Sequence, residues 1–373
     1  MRFSVSSTDL LKAILTAQKA IPAKVSEAIL ENYLLELEGD RLSITASDLE
    51  LTVRTVVEVE NAEEAGSIAV PARQLTDLLK ELPDQPLTIG TIGTNAFECK
   101  WAGGQSSLPY YNPDDYPRTA RTVEGAAEVT IPAATLIEGI NSTVYAASDE
   151  ESRPVMSSIF FDITPDSTTL VASDLQKLIC YTADDIKAGA PCSFILNKRH
   201  AAVLKGIIGK DDETVSVQFD EKTAIFTFGQ TTATCCLVAG KYPAYRSIIP
   251  ANNSNILRIN RSRLLNTVRR IAVCSPKASN HIKFELTHNS IAVSAQDLGY
   301  EIEAHETVPC SYEGDDLSIG FKSTHIADIL SNLTCEDIVI KFADKRRSAL
   351  IVPPEEEAAD VKVFGIVMPV MVK

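Results

Sequence analysis

Three times the chain carries one phrase, a strand-like run that ends in a bend: Ile44-Thr45-Ala46-Ser47-Asp48-Leu49, Leu170-Val171-Ala172-Ser173-Asp174-Leu175 and Val293-Ser294-Ala295-Gln296-Asp297-Leu298. The three aspartates lie 126 and 123 residues apart. A second landmark keeps this spacing, since Tyr116-Pro117 returns as Tyr242-Pro243. A fixed period of this kind indicates a repeated domain. We therefore expect three copies, at residues 1–122, 123–250 and 251–373.

The first copy divides into two similar halves. Arg2–Ser6 reads as a strand, and Thr8 or Asp9 can cap a helix whose apolar residues recur every three to four positions. Three strand-like runs follow, and the order begins again with a strand at Ile68–Val70 and a helix that Pro71 opens. The other strand candidates of this copy are 33–37, 42–46, 51–59, 87–89, 96–101 and 106–108. A unit of strand, helix and three strands, used twice per domain, predicts an α+β fold with two helices and antiparallel sheets in each copy.

Composition and charge exclude several classes of protein. The chain has 373 residues, of which 45% are hydrophobic, and this excludes a disordered, collagenous or coiled-coil protein. The net charge of −15 is opposite to that of a protein that holds nucleic acid by bulk attraction. The charge is segregated, however, because the six predicted helices sum to +7 and the rest of the chain to −22. Basic helices with an acidic remainder favour helices that face a polyanion.

Simple geometry connects three domains with a ring. A domain of ~125 residues has a radius of gyration near ~14 Å and a diameter of roughly 36 Å. Three such spheres in a ring leave a hole of only about 5 Å, whereas six leave about 36 Å, enough for a DNA duplex about 20 Å wide. The repeat therefore predicts a head-to-tail dimer if the chain encircles DNA.

The sequence also favours a soluble cytosolic protein. The N-terminus lacks the apolar core of a secretory signal, and no run approaches the roughly 20 apolar residues that cross a membrane. Eight cysteines include no C-x-x-C and no Cys/His spacing suited to zinc, so we expect reduced, mostly buried thiols and no metal or other cofactor.

An enzyme is the principal alternative. Four acidic pairs resemble material for a two-metal nuclease: Asp114-Asp115, Asp184-Asp185, Asp211-Asp212 and Asp315-Asp316. Each pair lies among turn residues, which favours solvated turns, and the repeated Asp48, Asp174 and Asp297 are expected to be structural bends. No phosphate loop, dinucleotide fingerprint or hydrolase motif occurs. A repeat-built scaffold that binds only proteins is a third possibility.

Several short motifs complete the pattern: Val70-Pro71-Ala72-Arg73, Tyr242-Pro243-Ala244-Tyr245-Arg246, Ile319-Gly320-Phe321 and Val367-Met368-Pro369. Together with the triplication, they resemble the bacterial sliding clamp, the beta subunit of DNA polymerase III, over essentially the whole chain. The resemblance implies a non-catalytic, ring-shaped homodimer in the cytoplasm that encircles duplex DNA and tethers the replicative polymerase. Sheets would lie outside and helices would line the hole.

The resemblance also assigns residues to sites. The residues near DNA would be Lys24, Arg73, Lys198 and Arg199, which attract phosphates loosely and read no sequence. A cleft between the second and third domains would bind short peptides of the polymerase and the clamp loader. Its residues would be Met156, Leu175, Lys177, Leu178, Pro243, Ile248, His325, Ile366, Val367, Met368 and Pro369. The dimer contact would involve Leu108 on one side and Val273 and Cys274 on the other.

The chain departs from the family pattern at the cleft. Many clamps read Thr-Asp-Gly-His-Arg-Leu where this chain reads Ser173-Asp174-Leu175-Gln176-Lys177-Leu178. The usual ending Met-Pro-Met-Arg-Leu is replaced by Met368-Pro369-Val370-Met371-Val372-Lys373. We expect these differences to alter the preference for peptides.

Overall fold

The computed structural model describes residues 1–24, 26–119, 123, 126–354 and 361–371. The end of the first expected domain at residue 122 and the C-terminal departures Val372 and Lys373 lie outside the described residues. The chain forms two compact units, one of residues 1–134 and 202–237 and the other of residues 135–201 and 238–373.

Six α-helices occur in the described residues, two for each expected copy. They are α1 (Ser7–Gln18), α2 (Ala72–Lys80), α3 (Ala133–Thr143), α4 (Lys198–Ile207), α5 (Arg261–Ala272) and α6 (Ser323–Asn332). The predicted cap of α1 was wrong by two or three residues. Ser6 is the N-cap, because it keeps an extended backbone and its side chain accepts a hydrogen bond from the N–H of Asp9. Pro71 is the N-cap of α2, and this helix ends at Lys80 as expected.

The first unit contains two antiparallel sheets. A five-stranded sheet has the order β5 (Glu60–Glu64), β1 (Arg2–Ser6), β7 (Pro86–Ile92), β8 (Ala96–Trp101) and β9 (Gly104–Pro109). An eight-stranded sheet has the order β10 (Ala127–Pro132), β15 (Thr214–Phe219), β16 (Thr223–Phe228), β17 (Thr231–Cys236), β4 (Leu51–Glu58), β3 (Arg41–Ser47), β2 (Asn32–Glu38) and β6 (Gly66–Pro71). The larger sheet thus joins strands of the first and second expected copies through the pairing of β4 with β17.

The second unit is also built on two antiparallel sheets. A nine-stranded sheet has the order β14 (Cys192–Asn197), β11 (Ser158–Ile163), β12 (Thr168–Ser173), β13 (Lys177–Ala183), β26 (Val361–Val367), β25 (Ala349–Val352), β24 (Asp337–Phe342), β18 (Asn255–Asn260) and β22 (Ser311–Glu313). A four-stranded sheet has the order β21 (Ile302–Pro309), β20 (Ser290–Asp297), β19 (His281–Thr287) and β23 (Leu317–Lys322). The larger sheet joins strands of the second and third copies through β13 and β26.

The element order repeats the predicted unit of strand, helix and three strands six times. Two short strands, β5 and β22, are additional. Strand β5 escapes prediction because all five of its residues are exposed and three are glutamates, so it has no alternation of apolar residues.

The repeated bends are turns, and each aspartate accepts backbone hydrogen bonds. Asp48 Oδ1 accepts from the N–H groups of Glu50 and Leu51, and Asp174 Oδ1 accepts from those of Gln176 and Lys177. In the third copy, Asp297 Oδ1 accepts from the N–H of Gly299. This geometry supports the structural interpretation of these residues.

Candidate functional site

An apolar cleft lies in the second unit and has a volume of about 290 Å³. Its floor consists of buried side chains of Met156, Leu178, Tyr242 and Ile366. The full lining is Met156, Ser173, Leu175, Gln176, Lys177, Leu178, Tyr242, Pro243, Ala244, Tyr245, Ile248, Ser348, Ile366 and Met368. A concave apolar surface with a few polar groups at its margin is the usual form of a ligand site.

Two structural features position this floor. Strands β13 and β26 pair antiparallel, so that Leu178 lies opposite Ile366. The segment after β17 is held in place by aromatic contacts, because the ring of Tyr242 stacks on Phe160 with centroids 4.9 Å apart. Tyr245 Oη donates a 2.7 Å hydrogen bond to Asp162. Strand pairing and aromatic contacts within the chain therefore hold the floor in place.

The mouth of the cleft is also apolar. Leu175, Ile248 and Met368 are 49%, 55% and 50% exposed, and each comes from a different segment of the chain. The N–H of Met368 donates a 2.8 Å hydrogen bond to the carbonyl of Gln176, which joins the last strand to the bend after β12. Large apolar side chains grouped at the surface indicate a protein interaction site.

A polar cavity of about 470 Å³ adjoins the cleft, since Gln176 and Lys177 line both. The side chain of Lys177 is 8% exposed, and its Nζ lies 2.9 Å from Asp328 and 3.3 Å from Asp174. Opposite charges thus compensate the burial of this lysine. The charged groups connect the bend after β12 to helix α6.

His325 of α6 contributes to this cavity. Its Nε2 lies 3.5 Å from Asp174, yet burial lowers the pKa of His325 from 6.5 to about 4 because desolvation outweighs the attraction of the carboxylate. Burial, followed by the nearby charge of Asp328, raises the pKa of Tyr145 well above its ordinary value. Both side chains are therefore neutral at pH 7.

Most of the predicted cleft residues converge on the apolar cleft. Eight line it: Met156, Leu175, Lys177, Leu178, Pro243, Ile248, Ile366 and Met368. Three do not, since His325 lines the polar cavity, Val367 is fully buried in β26, and Pro369 lies outside the lining. Sequence reasoning missed the aromatic floor residue Tyr242 and its neighbour Tyr245, although both belong to the Tyr-Pro-Ala-Tyr-Arg motif.

The four predicted DNA-facing residues fall into two groups. Lys24 and Arg73 belong to the first unit, where Arg73 is exposed on α2 with its Nε 3.8 Å from Asp77. Lys198 and Arg199 begin α4 in the second unit, and Arg199 is exposed. Lys198 binds the carboxylate of Asp149 and the carbonyl of Ser148, and its hydrogen bond lowers the pKa of Asp149.

Helix α5 shows that the basic charge of the helices is only partly available. Arg261 donates hydrogen bonds of 2.6 and 2.9 Å to the carbonyls of Cys335 and Leu330. Arg270 binds Glu306 of β21 at 2.6 Å. Arg269 donates a 3.0 Å hydrogen bond to Ser331 Oγ, so three of the four arginines in this helix hold contacts within the fold. The carboxylate of Glu306 offsets the charge of Arg270.

The predicted dimer residues lie at or near exposed positions. Leu108 is half-buried on β9, which forms an edge of its sheet. Val273 follows α5 and is 78% exposed, and Cys274 next to it is half-buried.

Of the eight cysteines, only Cys99, Cys180 and Cys235 are buried, so the expectation of mostly buried thiols was wrong. Within residues 1–24, 26–119, 123, 126–354 and 361–371, no group of three or more His, Cys, Asp or Glu side chains is arranged to hold a metal ion. No helix in this part of the chain is long and apolar enough to cross a membrane.

Comparison with protein families identifies the fold. The chain matches models of the N-terminal, central and C-terminal domains of the DNA polymerase III beta subunit over residues 1–120, 130–244 and 246–370. The chain belongs to the DNA polymerase III beta subunit family. Members of this family are sliding clamps, so the chain is a non-catalytic processivity factor and its partners are DNA and the polymerase.

Relatives and solved structures agree over the whole length. The chain is 27% identical to the beta sliding clamp of Vibrio cholerae, over 99% of this chain and 100% of the relative. It is 26% identical to that of Synechococcus elongatus, with both chains covered completely. The crystal structure of the Pseudomonas aeruginosa clamp bound to griselimycin superposes with a TM-score of 0.93, at 26% identity and 100% coverage of both chains.

Proposed function

We propose that two copies of this chain form a closed ring around duplex DNA and hold the replicative polymerase through a peptide bound in the apolar cleft. Attachment to DNA then depends on enclosure and only weakly on affinity. The observation that carries the proposal is the pattern of strand pairing between repeats. The cytoplasm remains the predicted location.

The repeats support a particular pair of strands as the contact between two chains. Strand β4 follows the first bend and pairs with β17, the last strand of the second repeat. Strand β13 follows the second bend and pairs with β26, the last strand of the third. The third such strand is β21, which forms a sheet edge, and β9, the last strand of the first repeat, forms another. The pattern supports pairing of β21 of one chain with β9 of a second chain.

The pairing of β4 with β17 also supplies a register for this contact. Leu51 begins β4 and lies opposite Cys235, the fifth residue of β17. The same register places Ile302, which begins β21 of one chain, opposite Leu108, the fifth residue of β9 in the second chain. Glu303 then lies opposite Ser107.

The other edge of the same sheet is unsuited to such a contact. Strand β5 forms that edge and carries three exposed glutamates, which discourage pairing with another strand. Strand β9 carries no charged residue. The asymmetry supports one specific interface in place of open-ended association.

DNA is proposed to face the basic helices. Lys24, Arg73, Lys198 and Arg199 would attract phosphates without reading bases. Weak attraction suits a ring that must slide, and the pairing of Lys198 with Asp149 supports this by reducing the local positive charge.

The cleft is proposed to bind short segments of the polymerase and of the clamp loader. An apolar floor and mouth favour ligands that anchor through bulky apolar side chains. One apolar surface of this kind can serve several partners in turn. The Met368 side chain at the mouth adapts readily to ligands of different shape.

The dimer contact can be tested with a charge exchange. We expect the wild-type chain to have twice its 40.5 kDa mass at micromolar concentration by sedimentation. Ser107→Glu places like charges opposite Glu303 at both contacts of the ring, and we expect the dissociation constant to rise roughly tenfold. Adding Glu303→Lys restores an attractive pair, so the double variant should dimerise like the wild type. A monomeric wild type, or a double variant no better than Ser107→Glu, contradicts this interface.

Enclosure is tested on circular DNA. After loading by the clamp loader, the protein should remain on a nicked circle and dissociate when a restriction enzyme linearises it. A linear duplex blocked at both ends by bound protein is the control and should retain the ring. Equal retention on the open linear and circular forms would reject the topological mechanism.

A further inference from the structure

A basic turn, residues 344–347, joins β24 to β25. Its sequence is Asp344-Lys345-Arg346-Arg347, and all four side chains are exposed. Asp344 Oδ1 accepts hydrogen bonds of 2.7 and 3.1 Å from the N–H groups of Arg346 and Arg347. An aspartate that binds the backbone two and three residues later fixes a turn of this kind. The backbone is therefore held without help from the basic side chains, which remain at the surface.

The basic turn lies at the edge of the apolar cleft. Ser348 follows the turn directly and lines the cleft. The next residue, Ala349, pairs with Val367 of β26, and Val367 precedes Met368 at the mouth of the cleft. Asn253 Nδ2 donates a 3.0 Å hydrogen bond to the carbonyl of Ser348. Strand pairing and this hydrogen bond therefore fix the position of the turn beside the cleft.

Most of the charge of the basic turn is uncompensated. Among the described residues, only Arg347 of its three cations forms an ion pair, with Asp344 of the same turn at 3.6 Å, and both side chains are more than half exposed. The carboxylates that contact the lining of the cleft, Asp162 and Asp174, each lie within 3.3 Å of another cation. Three cations and one carboxylate give the turn a net charge of +2, in a chain whose net charge is −15.

The equivalent turns of the other two repeats do not carry this charge. In the second repeat, between β15 and β16, Asp220 Oδ1 accepts 2.7 Å hydrogen bonds from the N–H groups of Lys222 and Thr223, in the pattern of Asp344. Two acids and one lysine give residues 220–222 a net charge of −1. In the first repeat, residues 93–95 between β7 and β8 are uncharged. The fold of the turn therefore does not require basic residues, and the positive charge occurs in the copy beside the cleft.

We propose that the basic turn recognises an acidic stretch of the partner segment, next to the apolar side chains that the cleft holds. This inference rests on the peptide-binding role proposed above. It assigns to the partner a segment with a bulky apolar anchor and at least two Asp or Glu residues beside that anchor. Complementary charge of this kind selects among partners and speeds their association. A segment with the same anchor and neutral flanks binds more weakly.

The experiment measures binding of labelled peptides to the full-length protein by fluorescence anisotropy. Ten-residue peptides of Ser and Gln carry one adjacent Leu-Phe pair as the apolar anchor. Two acidic peptides have Asp-Asp directly before or directly after the anchor, and their neutral versions have Asn-Asn at the same positions. At about 50 mM salt we expect the wild type to bind one of the acidic peptides about fivefold more tightly than its neutral version.

A double variant removes the unpaired charge of the turn. Lys345→Gln with Arg346→Gln should reduce the preference for the acidic peptide below about twofold. Binding of the neutral peptides should not change, because neither side chain lines the cleft. Raising the salt concentration to about 500 mM should weaken the preference of the wild type in the same way.

The controls separate the possible failures. Lys210→Gln with Lys222→Gln removes the same amount of charge from the first unit, and this variant should keep the preference. An equal loss in this control overturns the inference, since net charge would then explain the preference.

Three other outcomes also decide the matter. Equal binding of acidic and neutral peptides by the wild type overturns the inference while leaving the cleft intact. Weaker binding of the neutral peptides by the Lys345→Gln, Arg346→Gln variant overturns it as well, because the turn would then support the cleft itself. Weaker binding of a short DNA duplex by this variant, with the peptide preference unchanged, assigns the turn to DNA instead. Failure of the wild type to bind any peptide counts against the peptide-binding role, and the inference falls with it.

Discussion

Acidification should destabilise the protein through His325. This side chain is buried among Asp174 and Lys177 from the bend after β12 and Lys322 and Asp328 at the start and middle of α6. Burial keeps it neutral, with a pKa of about 4 against 6.5 in the unfolded chain. Because the folded pKa is the lower one, the unfolded state binds the proton first as the pH falls. His325 therefore costs the folded state no free energy above pH 6.5. The free energy of unfolding falls as the pH drops from 6.5 to 4.

The size of the effect follows from these two values. Between pH 7 and pH 5 the unfolded chain becomes protonated at this position while the folded chain does not, and linkage gives a loss of at most about 2 kcal/mol in the free energy of unfolding. Urea unfolding followed by far-UV circular dichroism at both pH values measures it. His325→Gln does not titrate, so its stability should fall by about 2 kcal/mol less over the same step.

A direct titration complements the stability measurement. The proton on the imidazole ring carbon of His325 can be followed by NMR, with His325→Gln assigning the signal. A midpoint near 6.5 would refute the reasoning, because burial would then fail to exclude the proton. Equal losses of stability in the wild type and the variant would refute it as well.

Three further substitutions test individual contacts. Lys177→Met leaves its carboxylate partners without a buried cation and should lower the free energy of unfolding by about 1–3 kcal/mol in urea, the partial exposure of the partners limiting the loss. The Arg270 guanidinium holds the pKa of Glu306 at about 2, below the ordinary 4.5, so Arg270→Met should raise it toward 4.5 in a carboxyl-carbon NMR titration. An unchanged midpoint would show that this ion pair does not form in solution. Gly365→Ala puts a Cβ 3.1 Å from Ile329 in the centre of the nine-stranded sheet, and thermal unfolding should show a loss of about 1–3 kcal/mol.

The sequence predicted elements well where the signal was periodic. The repeat located all six helices, and apolar alternation located most strands of the first copy. Strand β5 was missed because an exposed acidic strand has no apolar period, and the cap of α1 was misplaced because Ser6, Thr8 and Asp9 are all suitable capping residues. Local pattern cannot decide such choices.

The sequence predicted which residues belong to the site but not how the fold arranges them. The motif around Tyr242 indicated that the segment matters, yet only tertiary packing shows that its ring forms the floor against Phe160. Likewise, Lys177 and His325 were assigned to one cleft, while the structure places His325 in a separate polar cavity beside it. The contacts of His325 with Asp174 and of Lys177 with Asp328 each join residues 151 positions apart, and such contacts carry no local signal in the sequence.

The position of β26 between β13 and β25 has a consequence for synthesis of the protein. Strand β13 ends at Ala183, and its neighbour begins only at Val361, so the ribosome exposes one long strand edge well before the chain that covers it has been made. An unpaired strand edge of this kind can form hydrogen bonds with strands of other nascent chains. Newly made copies should therefore depend on chaperones until β26 emerges and closes the sheet.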